Sequence, residues 1–85
     1  MFTVIWRTRA LDELADIVVR SDLSTQDLIE RQVTALNKRL AADPLDVGES
    51  RVGNTRIAIA DPICVLFEVA ASVGIVRVLT CWPST

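Results

Sequence analysis

The spacing of apolar residues along this chain changes from two to about 3.6 and back again, and each change marks a boundary between elements. Phe2 to Trp6, FTVIW, is a short run of β-branched and aromatic residues, which predicts a first strand. RTRALDELADIVVRS then takes helical spacing: Leu11, Leu14, Ala15 and Val18 form an apolar stripe, with Asp12, Glu13 and Asp16 largely outside it. Thr8 is the expected N-cap of this helix, and its early acids suit the positive end of the helix dipole. A second helix follows over SDLSTQDLIERQVTALNKRLAADP. Ser24 and Asp27 have capping-box spacing, Leu28, Ile29, Val33, Leu36 and Leu40 form its stripe, and Pro44 stops it.

Residues 42–55 hold Pro44, Gly48, Gly53 and Asn54 and read as a loop. Beyond it the period returns to two. Arg56 to Ala60 predicts strand 2, Asp61-Pro62 a turn, residues 63–69 strand 3, and IVRVLTCW strand 4. The order is βααβββ. It predicts a compact α+β fold in one domain over residues 1–85, with a two-helix hairpin on one face of a small, mainly antiparallel four-stranded sheet.

A four-residue hairpin loop over Ala71 to Gly74 fixes a register, because Gly74 can take the left-handed position that ends such a loop. Ala70 then faces Ile75, Glu68 faces Arg77, Leu66 faces Leu79 and Cys64 faces Cys81. Ile63, Val65, Phe67, Val69, Val76, Val78 and Trp82 share the other face, apolar apart from Thr80, where the helices are expected to sit. Glu68, which interrupts the apolar run PICVLFEV, therefore points to the open face as half of a cross-strand ion pair. Cys64 and Cys81 are expected as free, inert thiols on that same face, since directly opposite cysteines are bridged only with strain.

Composition narrows the chemistry. The chain has 85 residues, is 51% hydrophobic, has a net charge of −2, and contains no His and no Tyr. The commonest general base and metal ligand is thus missing, and two cysteines without histidine do not close a zinc site, so neither metal nor cofactor is expected. The acidic balance gives no general attraction to nucleic acid. Charge is uneven, however: residues 1–50 carry six basic and nine acidic groups, and residues 51–85 carry three arginines and two acids. The first nine residues place their apolar run before their charges, the reverse of a secretory signal, and no apolar run approaches the ~20 residues of a membrane helix. A cytoplasmic setting is expected, with no membrane partner. The high apolar content points to a covered surface.

The succession of FTVIW, ALDELADIV, LAADPLDVGESR, TRIAIADPICVLFEV and GIVRVLTCW resembles the RelE/ParE superfamily of bacterial type II toxin–antitoxin toxins over nearly the whole chain. The resemblance implies parallel pairing of strand 1 with a C-terminal strand and a small antitoxin as partner. It also implies growth inhibition, through mRNA cleavage on the ribosome or through a protein target. In the RNA-cleaving branch basic residues on the open face hold RNA, and a Tyr, His or carboxylate assists in some members. Here the positions matching the family's strand Arg and following Tyr are Cys64 and Phe67. Arg51, Arg56 and Arg77 remain as candidates for holding RNA or phosphate, with Cys64, Glu68 and Cys81 as open-face candidates. The alternative is a protein-interaction module that keeps the fold without the catalytic site, with a homodimer among its expected forms. Small-ligand binding over the open face is a weaker third reading, since VGN and DVGES are too sparse for a phosphate-cradling loop.

Overall fold

A computed structural model describes residues 1–85. Its elements are β1 (Thr3–Trp6), α1 (Thr8–Val19), α2 (Leu23–Ala42), a 3-10 turn (Pro44–Asp46), β2 (Glu49–Ser50), β3 (Thr55–Ala60), β4 (Ile63–Ala70), a second 3-10 turn (Ala71–Val73) and β5 (Ile75–Pro83). The strands form one sheet in the order β1-β5-β4-β3-β2. β1 runs parallel to β5, and every other pairing is antiparallel. The fold is α+β as expected, but the sheet has five strands. The addition is β2, a two-residue strand inside the expected loop.

Both helices pack on one face. α1 rests mainly on β5, and α2 lies against β1 and β3. Ile29, Leu36 and Leu40 of α2 and Ala10 of α1 join Ile63, Val65, Phe67, Val69, Val76 and Val78 in one buried cluster. Trp6 Nε1–H donates to Asn37 Oδ1 at 2.8 Å, which fixes β1 against α2. Phe67 is fully buried. Its truncation to Ala would cost about 3–5 kcal/mol. That is a large part of the about 4–13 kcal/mol available to a domain of this length.

The helix starts differ from expectation. Arg7, not Thr8, is the N-cap of α1 and makes no side-chain bond there, and no acid lies in the first turn. Asp22, not Ser24, caps α2: its Oδ1 accepts the Thr25 N–H at 2.8 Å and the Ser24 hydroxyl at 3.1 Å. These bonds hold the Asp22 carboxyl below its ordinary range, the Thr25 bonds contributing most. Asp caps as well as Ser does, so Asp22, immediately before the first helical residue Leu23, takes the role. In α1 the inward positions are Ala10, Glu13, Leu14, Ile17 and Val18, while Leu11 and Ala15 face solvent. The inward face is thus turned from the predicted stripe, and it carries Glu13 toward β5.

The β4–β5 hairpin begins in the expected register. Gly74 takes a left-handed φ of 68°, and Ala70 pairs with Ile75 and Glu68 with Arg77. Between Leu66 and Phe67 the register then shifts: Phe67 pairs with Val78 and Leu66 with Thr80, leaving Leu79 as an extra residue. One extra residue moves every later side chain to the other face. Cys64 therefore pairs with Trp82, and Cys81 pairs with Val65 and joins the core. The two cysteines lie on opposite faces, so Cys81 is not an open-face residue, and Leu66 does not face Leu79. By the same shift Trp82 moves off the helix-facing row.

Candidate functional site

The open face is mapped by the strand register. Ile5, Arg77, Glu68 and Thr55 form one row across β1, β5, β4 and β3. Beside it, Leu66 adjoins Ile57, and Cys64 adjoins Ile59. Arg77 Nη1 meets Glu68 Oε1 at 3.2 Å, with the two side chains 33% and 24% exposed. At this exposure such a pair contributes about 0.2–1 kcal/mol. Its larger effect is local neutrality at the centre of the face.

Arg56 does not reach that face. It pairs with Phe67 and so lies on the helix side at the edge of the sheet. Its Nε donates to Val47 O at 2.8 Å, Nη2 to Gly48 O at 3.0 Å and Nη1 to Ser50 Oγ at 2.8 Å. The guanidinium thus holds the segment leading into β2, using donors that a fixed fork geometry presents together. Gly48 makes the segment's close approach feasible, because a Cβ there would stand 2.0 Å from Ile57 O, and its φ is +67°. Arg51 is exposed and donates through Nη1 to Ser50 O at 3.0 Å and to Glu49 Oε2 at 3.5 Å. Arg51 and Arg56 therefore meet at Ser50, whereas Arg77 is engaged separately with Glu68.

The thiols are buried and free. Burial, reinforced by the nearby Glu13 carboxylate, pushes the Cys81 thiol up to about 11. Cys64 is raised too, by burial and then by Asp61. Both are protonated at neutral pH and are poor nucleophiles.

Sequence reasoning missed Glu13. Its Oε1 accepts the Thr80 hydroxyl at 2.7 Å and the Cys81 N–H at 3.1 Å, and its Oε2 lies 3.7 Å from Arg9 Nε. The Thr80 bond is the main influence holding the carboxyl below its ordinary value, against opposing desolvation. Glu13 lines a groove of about 810 Å³ between α1 and the end of β5, with Asp12, Asp16, Ile17 and Trp82. No local pattern signalled it: past the bulge Thr80 pairs with Leu66, out of the row in which the expected register placed it, and Glu13 lies 67 positions away.

No protein-family model matches the chain, and no curated protein matches it in sequence. Solved structures do match. The RelBE2 toxin–antitoxin complex of Mycobacterium tuberculosis superposes with a TM-score of 0.75 at 20% identity, covering 96% of this chain and 90% of that one. The chromosomal ParDE toxin–antitoxin system of P. aeruginosa gives 0.73 at 17%, covering 100% and 98%. The isolated E. coli RelE toxin gives 0.67 at 10%, covering 100% and 86%.

The chain has the RelE/ParE toxin fold. The fold explains the parallel β1–β5 pair and the helical hairpin on one face, while the open face carries this sequence's own residues. No helix is long and apolar enough to cross a membrane.

Proposed function

We propose that residues 1–85 form one toxin-fold domain of a cytoplasmic toxin–antitoxin pair, restrained by a small antitoxin protein and acting on a protein target rather than by cutting mRNA. The observation that supports this reading is the engagement of the three candidate arginines. Arg56 is bound to three groups of the segment before β3, Arg51 to Ser50 and Glu49, and Arg77 to Glu68. RNA cleavage calls for cations free to face a phosphate and a group that moves the 2′-hydroxyl proton. Here the face offers a neutral pair among isoleucines and leucine, a surface suited to protein contact.

The test is growth of a bacterial culture after tightly controlled expression of the wild type and of Arg51→Ala and Arg77→Ala, singly and together. Arg56→Ala is left out because it disturbs the fold. The expected result is growth arrest by wild type and arginine variants alike, with intact mRNA. Arrest lost in the arginine variants, with mRNA cleaved only by the wild type, would make RNA cleavage the mechanism. Harmless expression of the wild type would favour the alternative, a protein-interaction module that keeps the fold without toxicity.

A further inference from the structure

An antiparallel sheet with one face on a core ordinarily alternates to polar residues on its other face. This sheet does not. On the face away from the helices, Ile59 is 69% exposed and Ile5 43% exposed, and Ile57, Leu66 and Ile75 are partly exposed around them. The charges on this face form two pairs: Glu68 and Arg77, 3.2 Å apart, at its centre, and Glu49 and Arg51, 3.5 Å apart, at the β2 rim beside Ile57 and Ile59. Contiguous apolar surface of this kind marks a contact site.

We propose that a second copy of this chain docks here, open face on open face, about a two-fold axis running beside the Glu68–Arg77 pair. Charge selects the occupant. A nucleic acid needs surplus positive charge, which a cancelled pair does not supply. A wholly apolar partner would strip water from the pair and return no polar group, which is costly for buried charges. A two-fold copy offers Arg77 a second carboxylate and Glu68 a second guanidinium, while its isoleucines cover Ile5 and Ile59. The same patch then serves both subunits, as an isologous contact requires. Such a dimer withdraws Arg77 from any other ligand, and dilution releases it. Self-association of the purified chain is measured without reference to growth, so it stands or falls separately from the toxin reading.

Sedimentation equilibrium of the purified chain from micromolar to roughly 100 μM gives the test. The expected wild-type mass is twice the 9.4 kDa of the chain. Ile59→Lys and Ile5→Lys should sediment as single chains, with far-UV circular dichroism like wild type because both side chains already meet solvent. Arg77→Glu and Glu68→Arg should each remain monomeric, because their homodimers bring together four like charges. An equimolar mixture of the two should return to the dimer mass. A wild type that stays at the chain mass would overturn the proposal. So would a dimer that survives both lysine substitutions, a charge variant that dimerises alone, or a mixture that gains no mass.

Discussion

The carboxylate of Glu13 accepts the backbone N–H of Cys81 at 3.1 Å, across 68 positions of sequence. β1 ends at Trp6 opposite Val78, while β5 runs on to Pro83, so the later part of β5 has no strand on that side. A strand edge left this way presents unpaired N–H groups. Glu13 supplies the acceptor that a longer β1 would have supplied, and it takes the Thr80 hydroxyl with the same oxygen. Pro83 brings no N–H at all. The edge is closed by one helix side chain and one proline.

Glu13→Ala should therefore leave the Cys81 amide and Thr80 without their acceptor and lower stability by about 1–3 kcal/mol. Glu13→Gln keeps an acceptor and should cost less. The acid response has a definite sign. The folded carboxyl lies below its ordinary value of 4.5, so its contribution is present above that value and is lost as pH falls through the lower folded value. Urea unfolding from pH 7 down to 3 checks this. The stability gap between wild type and Glu13→Gln should close below about pH 4.5. A gap that stays constant would show that the Glu13 charge plays no part.

Gly48→Ala should be among the most damaging single substitutions available. The added methyl would meet the Ile57 carbonyl, a backbone atom that cannot swing aside, at a φ of +67°. A loss of about 3 kcal/mol or more is expected, seen as a lower denaturation midpoint. Exchange of the Arg51 amide, which donates to Thr55 O at 2.8 Å, should also accelerate, because β2 must lift from β3.

Arg56→Lys tests whether the guanidinium is a clamp. A single ammonium cannot reach Val47 O, Gly48 O and Ser50 Oγ together. The expected loss is about 1–3 kcal/mol, concentrated in residues 47–50 by hydrogen exchange. Protection unchanged across that segment would mean the three bonds contribute nothing to its order.

Local pattern made much of this fold legible, and long-range placement hid the rest. α2 could be read because Ile29, Leu36 and Leu40 repeat along one helix face. The first half of the β4–β5 hairpin could be read because Gly74 alone fits its left-handed turn, which puts Glu68 opposite Arg77. The second half could not, because a turn sets register only while the ladder is regular, and nothing in VLTC announces Leu79 as a bulge. In α1 the apolar Leu11 and Ala15 drew the stripe outward, while the inward Glu13 answers to Thr80, on a strand at the far end of the chain. Arg56 looked free for a ligand because two of its three partners are main-chain carbonyls, which no residue pattern reveals. Placement on the open face was therefore legible for Glu68, Arg77 and Cys64 and misjudged for Cys81.

Opposite faces give the two thiols different chemistry, which alkylation can rank. Cys81 lies in the core with a thiol pushed up from 9.0 to about 11, so its thiolate fraction at pH 8 is on the order of one in a thousand. Cys64 is raised as well, but it borders the open face at 7% exposure against 2% for Cys81. In native protein at pH 8 both should react slowly with iodoacetamide, Cys64 before Cys81. In guanidinium chloride both should react at the rate of an ordinary thiol. Cys64→Ala and Cys81→Ala assign the two rates separately. Faster native labelling of Cys81 than of Cys64 would contradict the bulge at Leu79, because only that extra residue turns Cys81 inward.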